Sequence, residues 1–265
     1  MALYEDLAGR TALIAGGATL IGRELARAFV DQGCRVVIAD IDCAGGKQAV
    51  CELGEGVMFV ETDVTSDTAI DACLAAARER FTGIDFLVNV TTSYLDDGPA
   101  TSRENWLRAL DIGLVGAAVL AHKLADELSA RKGVIVNFSS VSAHRAQAGR
   151  FVYPAIKAAM AQLTRSQALE FAPRGVRVNA VAPGWTWSNV LSALSGNDRA
   201  KVDAVGGPFH MPGRIAEAAE IAGAVLFLCS GASSFVVGTE IRVDGGYLAM
   251  GPERGEVPIA TLMEH

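Results

Sequence analysis

The sequence predicts a single-domain α/β fold, with a doubly wound parallel sheet of about seven strands and helices on both faces. Short runs rich in Val and Ile alternate with longer helix-like segments along nearly the whole chain. These runs lack the polar alternation of half-exposed strands, which favours strands buried on both faces. Strand–helix–strand units with right-handed crossovers build such a sheet. No repeat or low-complexity linker divides the chain, so residues 1–265 are interpreted as one Rossmann-type domain.

Each element is predicted from its local pattern. Strands are predicted where β-branched residues cluster between turn signals, at Thr11–Ala15, Arg35–Ala39, Val57–Glu61, Asp85–Asn89, Val134–Phe138, Val176–Val181 and Glu240–Val243. Helices are predicted where apolar residues recur at helical spacing, at Ile21–Gln32, Cys43–Leu53, Asp67–Phe81, Arg103–Leu128, Val152–Phe171 and Ala216–Leu228. Residues 185–214 show no periodicity, and we expect them to form a substrate loop. We expect the tail 251–265 to be frayed or docked on a neighbouring subunit.

Composition excludes several classes of function. The formal net charge of −7 opposes nucleic-acid binding, which needs a basic face. The longest apolar stretches are far shorter than a bilayer span, and the amino terminus lacks the apolar core of a secretory signal. The five cysteines form no CxxC pair and have no metal-ligand spacing. We therefore expect a cytoplasmic protein with reduced thiols, no metal site, and neither nucleic acid nor membrane as a partner.

A glycine-containing turn follows the first predicted strand. It reads Ala15-Gly16-Gly17-Ala18-Thr19-Leu20-Ile21-Gly22 and leads into a helix. Glycines at such a turn let backbone N–H groups approach a pyrophosphate, and the amino end of the helix adds partial positive charge. The same glycines also suit a tight turn without a ligand, so this segment alone leaves both interpretations open.

A carboxylate follows the second predicted strand and indicates which dinucleotide would bind. Asp40 lies 18 residues beyond Gly22, where a carboxylate can accept hydrogen bonds from the adenosine ribose hydroxyls and repel a 2′-phosphate. The next residues, Ile41 and Asp42, offer no cation to that phosphate. NAD is therefore favoured over NADP, and the alternative role for Asp40 is to cap the following helix.

Tyr153 and Lys157 lie four residues apart on a predicted helix and therefore on one face. A Lys ammonium at about 4 Å would lower the pKa of a phenol by about three units at an effective dielectric constant near 20, and desolvation would oppose that effect. Ser140 follows the fifth strand at the carboxyl edge of the sheet, where its hydroxyl can hold a substrate oxygen. The three residues predict a tyrosine acid/base.

The order of these motifs resembles the short-chain dehydrogenase/reductase family over residues 9–248. The shared features are the glycine turn, Asp63-Val64, Asn89, Ser140, Tyr153-Pro-Ala-Ile-Lys157, Pro183-Gly184 and Val243-Asp244-Gly245-Gly246. The resemblance implies that Ser140, Tyr153 and Lys157 are catalytic, with Lys157 also reaching the nicotinamide ribose. Together with the turn and Asp40, it gives these expected NAD contacts: Gly16, Thr19, Leu20, Ile21, Gly22, Asp40, Ile41, Asp63, Val64, Asn89, Val90, Tyr153, Lys157, Pro183, Gly184, Thr186 and Ser188.

These roles predict an NAD(H)-dependent oxidoreductase that interconverts a secondary alcohol and a ketone. Two alternatives stay open: an NADPH-dependent 3-oxoacyl thioester reductase, against which Asp40 argues, and a non-catalytic dinucleotide-binding protein. The expected substrate residues are Ser142, His144, Trp185 and Trp187, with Tyr94, Gln147, Phe151, Phe209 and His210 as further candidates. The tryptophans would stack on a sugar or flat ring, or else serve in packing. They favour a polyol, sugar or cyclic hydroxy compound.

The sequence departs from the family pattern at four places, which are Ala15, Leu20, the Val90-Thr91-Thr92 run and Gly113. Leu20 replaces a glycine where backbone meets pyrophosphate. Gly113 replaces an asparagine that helps to hold a water linking the lysine to solvent. We expect a slowed or rerouted proton relay. The resemblance also implies a homotetramer built on the Arg103–Leu128 and Val152–Phe171 helices, and burial within one subunit is the competing explanation for their small apolar residues.

Overall fold

The computed structural model describes residues 4–252, and the predicted tail lies outside them from residue 253 onward. Within this range seven parallel strands form one sheet in the order β3-β2-β1-β4-β5-β6-β7. The strands are β1 Thr11–Ala15, β2 Arg35–Asp40, β3 Val57–Glu61, β4 Phe86–Asn89, β5 Val134–Phe138, β6 Arg177–Pro183 and β7 Glu240–Val243. The prediction of a single α/β domain with about seven parallel strands is confirmed.

Nine α-helices lie between the strands in the described range. They are α1 Leu20–Asp31, α2 Cys43–Leu53, α3 Asp67–Phe81, α4 Arg103–Leu110, α5 Gly116–Arg131, α6 Val152–Phe171, α7 Asn189–Ser195, α8 Arg199–Gly206 and α9 Ala218–Cys229. Thr19 caps α1 by accepting a hydrogen bond from the N–H of Gly22. Asp42, not Asp40, caps α2, which leaves the Asp40 carboxylate available for another role.

Helices cover both faces of the sheet. On one face Leu25 and Phe29 of α1 pack with Val225 of α9 against alternate strand residues such as Ile14. On the other face α3, α5 and α6 pack against the intervening residues, of which Leu13 is one. Successive side chains of a strand point to opposite faces, so both sides of the central strands β1, β4 and β5 are buried, as their uninterrupted apolar runs predict.

Two expectations about helices were wrong. The predicted Arg103–Leu128 helix is not uniform, because Asp111–Val115 forms a π-helical segment between α4 and α5. Residues 185–214 are not an irregular loop, because α7 and α8 form within them. Ser188 and Asp198 cap these two short helices by accepting hydrogen bonds from backbone N–H groups.

The strand order changes direction between β1 and β4, where ligands bind in open sheets of this kind. Ala15 at the end of β1 pairs with Asn89 at the end of β4. In the described part of the chain, the helices are too short or too polar to cross a bilayer.

Two glycines in helices provide a stability test of the turn after β1. A Cβ at Gly22 would lie 2.3 Å from the carbonyl oxygen of Gly16, whereas a Cβ at Gly223 on α9 would meet open space. We expect Gly22→Ala to lower the free energy of unfolding by about 1–3 kcal/mol through overpacking. Gly223→Ala should raise it by about 0.5–1 kcal/mol through helix propensity. Urea unfolding measures both, and a gain in stability for both variants would show that Gly22 is not a packing constraint.

Candidate active site

A cavity of about 1670 Å³ opens at the carboxyl edge of the sheet. All three predicted catalytic residues line it, namely Ser140, Tyr153 and Lys157. So do most of the expected NAD contacts: Gly16, Thr19, Ile21, Asp40, Ile41, Asp63, Val64, Val90, Pro183, Gly184, Thr186 and Ser188. The structure therefore brings the two predicted sites together in one space.

Three expected NAD contacts do not line this cavity: Leu20, Gly22 and Asn89. Gly22 packs against the backbone of Gly16 and Gly17 and has a structural role in the turn. The Leu20 N–H donates to the side chain of Asn189 in α7 over 2.7 Å. Asn89 is buried within the sheet, where its amide donates to Asn137 over 2.8 Å.

The turn after β1 closely approaches the backbone of the segment after β4 beside the cavity. Gly16 adopts φ +86°, and a Cβ there would lie 2.9 Å from the N of Thr91. The hydroxyls of Thr91 and Thr92 border the same cavity and are buried without a partner among the described residues. Such unpaired groups are costly unless a ligand satisfies them, so the residues present fit a nicotinamide dinucleotide.

Asp40 lies at the end of β2, next to the turn after β1. Backbone N–H groups hold its carboxylate in place. One oxygen accepts from the N–H of Ala18 over 2.9 Å and the other from the N–H of Asp42 over 3.0 Å. Among the described residues, the cationic side chains of the cavity wall are Arg108, Arg150 and Lys157. None of them belongs to the loops that carry Asp40 and Asp63, so these loops offer no cation to a 2′-phosphate.

Tyr153 and Lys157 project from one face of α6 as predicted. The Lys157 Nζ lies 5.5 Å from the centre of the Tyr153 ring and donates to the carbonyl of Phe138 over 2.8 Å. Burial lowers the pKa of Lys157 to about 8. Burial also raises the pKa of Tyr153 to about 12, although a hydrogen bond to Ser140 and the charge of Arg150 oppose the rise. The expectation that Lys157 brings the phenol pKa into the working range is therefore wrong for the protein alone, because desolvation, with a smaller contribution from Tyr94, raises the pKa instead.

The serines beside the tyrosine form a short chain of hydrogen bonds. The Ser140 hydroxyl donates to Ser142 over 3.3 Å, and the Ser142 hydroxyl donates to Gln147 over 2.9 Å. Ser142 and Gln147 border the cavity, together with Tyr94, Trp185 and Phe209 from the set of substrate candidates. Gln147 therefore orients Ser142, and Ser142 is close to the predicted catalytic serine.

Four of the proposed substrate residues do not line the cavity: His144, Phe151, Trp187 and His210. His144 hydrogen-bonds Glu240 at the start of β7. The Trp187 ring packs under the Arg199 guanidinium, whose central carbon lies 5.7 Å from the ring centre. His210 is buried, with Nε2 accepting from the Trp185 N–H and Nδ1 bonded to the Gly206 carbonyl.

Asp96 is a site residue that the sequence reasoning missed. Its two carboxylate oxygens accept hydrogen bonds from the N–H groups of Phe151 and Tyr153, each over 2.9 Å, at the start of α6. Burial works to raise the pKa of Asp96, but these and other backbone hydrogen bonds lower it overall. The signal was the absence of a capping side chain before α6, because Phe151 occupies that position and the first N–H groups of a helix need an acceptor.

Comparisons with known proteins identify the family to which the chain belongs. The sequence model of a family described as enoyl-(acyl carrier protein) reductase matches residues 16–248. A cis-4-hydroxycyclohexanecarboxylate dehydrogenase of Sinomonas cyclohexanicum is 37% identical, covering 93% of this chain and 99% of its own. A sorbitol dehydrogenase of Cereibacter sphaeroides is 34% identical, covering 91% and 98%. The chain belongs to the short-chain dehydrogenase/reductase family.

A solved member of this family gives the same fold. It is the 3-ketoacyl-(acyl-carrier-protein) reductase from Brucella melitensis complexed with NADH, with a TM-score of 0.82 and 28% identity over 91% of this chain and 99% of its own. The two dehydrogenases resemble this chain over nearly their full length. The protein is therefore an oxidoreductase that acts on CH–OH groups.

One departure from the short-chain dehydrogenase/reductase pattern is now explained by packing. Gly113 lies in the π-helical segment, and a Cβ there would be 3.0 Å from a methyl carbon of Ile156. Ile156 therefore occupies much of the space next to Gly113. A slowed or rerouted proton relay stays a prediction. Because residue 113 is a glycine, no side chain there can hold the water that would carry the proton.

The capping role of Asp96 gives a testable prediction. We expect Asp96→Ala to lower the free energy of unfolding by about 0.5–2 kcal/mol, and Asp96→Asn to lower it less, because an amide oxygen still accepts a backbone N–H. The depressed pKa means that the charge stabilises the fold above pH about 4 and that this contribution is lost as the pH falls through the folded pKa. Urea unfolding at several pH values measures this.

Asp97→Ala is the matched control, because the Asp97 carboxylate has no hydrogen-bond or ion-pair partner within residues 4–252. Equal destabilisation by Asp96→Ala and Asp97→Ala would contradict the capping role.

Proposed function

We propose that the protein is an NAD(H)-dependent dehydrogenase that interconverts a secondary alcohol and a ketone on a polyol, sugar or cyclic hydroxy compound. One observation carries the proposal: Ser140, Tyr153 and Lys157 meet in the cavity that Asp40 and the glycine turn also line. A non-catalytic dinucleotide-binding protein has no need of this convergence. The coenzyme, when bound, supplies the hydride acceptor or donor.

Tyr153 is the proposed acid/base. In alcohol oxidation its phenolate oxygen takes the hydroxyl proton, and in ketone reduction the neutral phenol returns it. Ser140 holds the substrate oxygen beside the phenol, and its own hydrogen bond with Tyr153 opposes the rise in pKa. Lys157 keeps its Nζ beneath the ring through the Phe138 carbonyl, where a positive charge stabilises the phenolate.

The proposed coenzyme is NAD rather than NADP. Asp40 supports this, because its carboxylate is fixed in position and would repel a 2′-phosphate. Gly16, Thr19 and Ile21 would hold the pyrophosphate side, with Asp63 and Val64 near the adenine and Thr186 and Ser188 near the nicotinamide. The NADH in the similar Brucella reductase is consistent with this preference.

The proposed substrate class follows from the cavity wall and the relatives. Ser142 and Trp185 border the space beside Tyr153, and we propose that they contact the substrate, whereas His144 and Trp187 do not. The dehydrogenases that this chain resembles are named for a hydroxycyclohexanecarboxylate and for sorbitol, which favours cyclic or polyol alcohols over acyl thioesters.

We also propose that the protein is a cytoplasmic homotetramer. Val115, near the end of the π-helical segment, and Leu169 on α6 are exposed, the latter to 82%, on the helices that we expect to form the interface. Gly116 is instead packed inside the subunit, where a Cβ would lie 2.8 Å from the Val64 carbonyl. All five cysteines are free in the described range, which suits a reducing compartment.

Replacement of the acid/base tests the function. We expect Tyr153→Phe to lower kcat by about 10²–10⁴-fold while NADH binding, measured by fluorescence, stays within about threefold. Tyr4→Phe removes the same hydroxyl far from the cavity and should leave kcat unchanged. The assay is NAD⁺ reduction with polyols, sugars, cyclic alcohols and hydroxyacyl thioesters. Undiminished turnover in Tyr153→Phe would contradict the mechanism, and turnover of thioesters alone would favour the reductase alternative.

Replacement of Asp40 tests the coenzyme. We expect Asp40→Asn to lower the ratio of kcat/KM for NAD⁺ to kcat/KM for NADP⁺ by about tenfold or more, because the charge that repels the 2′-phosphate is removed. Asp42→Asn is the matched control, since asparagine caps a helix about as well as aspartate. Equal shifts in both variants would assign the preference to the general charge of the loop, and a wild type that prefers NADP⁺ would contradict the proposal.

A further inference from the structure

Arg150 is a cation on the cavity wall that the proposed mechanism does not require. The central carbon of its guanidinium lies 5.6 Å from the centre of the Tyr153 ring, and the exposed side chain borders the cavity. Within residues 4–252, no carboxylate lies within ion-pair distance of this guanidinium. Arg150 therefore presents, close to the Tyr153 ring, a positive charge that has no ion-pair partner in the described range.

Among the described residues, the acidic groups around the cavity form no ion pair with Arg150. Asp40 and Asp63 line the end of the cavity formed by the loops after β2 and β3. Asp96 is near Arg150 in the fold, but both of its oxygens accept backbone N–H groups at the start of α6. Glu104 on α4, which also carries Arg108, and Asp111 at the start of the π-helical segment also border the cavity. The field of Arg150 reaches the hydroxyl end of the site, because its charge opposes the burial-driven rise in the pKa of both Tyr94 and Tyr153.

A guanidinium is suited to a carboxylate. Its planar fork of N–H donors matches the two oxygens of a carboxylate, and such charge-assisted pairs are stronger than neutral hydrogen bonds. The site would then contact one ligand at two points: the alcohol oxygen at Tyr153 and Ser140, and an anionic group at Arg150. A neutral sugar or polyol would leave the second point unpaired.

We propose that Arg150 binds a carboxylate of the substrate, so that the preferred substrate is a hydroxy acid whose carboxylate lies a few bonds from its secondary alcohol. This inference rests on the proposed dehydrogenase function and narrows its substrate class. Arg150 thereby determines specificity, and it takes no part in the transfer of the proton or the hydride.

The test compares two substrates that differ only in charge. A hydroxycyclohexanecarboxylate and the corresponding carboxamide share the ring and the secondary alcohol. We expect wild-type enzyme to prefer the acid, and Arg150→Gln to lower the acid-to-amide ratio of kcat/KM by about 10–100-fold. Arg150→Lys should keep part of the preference, because the charge remains and the fork is lost.

Two further variants locate the effect. Arg165→Gln removes the same charge from α6 at an exposed side chain that bonds Gln162, and it should leave the ratio unchanged. Arg108→Gln removes the other cavity guanidinium that has no ion pair in the described range. A loss of preference in Arg108→Gln but not in Arg150→Gln would overturn the assignment. Equal loss of turnover on acid and amide in Arg150→Gln would also overturn it, because it would mean that Arg150 acts on Tyr153.

A binding measurement separates failure of this inference from failure of the proposed function. Calorimetry on the complex with NADH, using cyclohexanecarboxylate and cyclohexanecarboxamide, requires no turnover. Tighter binding of the carboxylate that disappears in Arg150→Gln supports the inference even if no alcohol is oxidised. If the wild-type enzyme oxidises the amide and shows no preference for the acid, the inference about Arg150 is wrong. The proposed dehydrogenase function is then still supported.

Discussion

Burial of the Tyr153 phenol and the Lys157 amine on one face of α6 is the interaction on which the rest of the site depends. Burial raises the pKa of Tyr153 to about 12 and lowers that of Lys157 to about 8, so it favours the neutral form of both groups. A neutral phenol is the form that protonates a ketone, whereas alcohol oxidation needs the phenolate. Oxidation therefore requires positive charge at the ring, and Lys157, whose Nζ lies 5.5 Å from the ring centre, is the residue proposed to supply it.

Residues far away in the sequence fix the position of Tyr153 and Lys157. Asp96 holds the first N–H groups of α6 from a loop 57 residues earlier in the chain than Tyr153, and Tyr94 of the same loop stacks on Tyr153 with ring centres 5.6 Å apart. One loop after β4 thus fixes both the start of the helix and the orientation of the phenol. A change in that loop would move the acid/base itself, since the helix carries Tyr153 in its first turn.

Most of the fold could be predicted because its central strands are buried on both faces. The Val and Ile runs at Val36–Ile38 and Val134–Val136 have no polar face, and that pattern has few explanations other than a parallel sheet. The π-helical segment at Asp111–Val115 was missed because one extra residue per turn barely changes the spacing of apolar residues. The helices α7 and α8 were missed because they are short and rich in polar and small residues, and their caps at Ser188 and Asp198 are also common in loops.

The same contrast applies to the candidate site: residues placed by local sequence pattern could be predicted, whereas residues whose roles depend on tertiary contacts could not. The sequence places Ser140, Tyr153 and Lys157 at the carboxyl edge, because each lies at a known offset from a strand or on one helix face. It does not separate Trp185 on the cavity wall from Trp187 packed under Arg199, because that depends on how the segment after β6 meets α8. Asp96 and Arg150 gain their roles only through contacts across the fold, and no spacing along the chain encodes them.

Leu20 departs from the family pattern, but the structure accommodates its side chain outside the cavity. Its side chain does not line the cavity, and its N–H already donates to Asn189 on α7 over 2.7 Å. Within residues 4–252, this exposed hydrogen bond links the turn after β1 to the segment after β6. An exposed bond of this kind contributes little to stability, so it can yield when a ligand competes for the same N–H. In the proposed NAD complex, Leu20 would therefore leave the cavity open and could still offer its backbone N–H to the pyrophosphate.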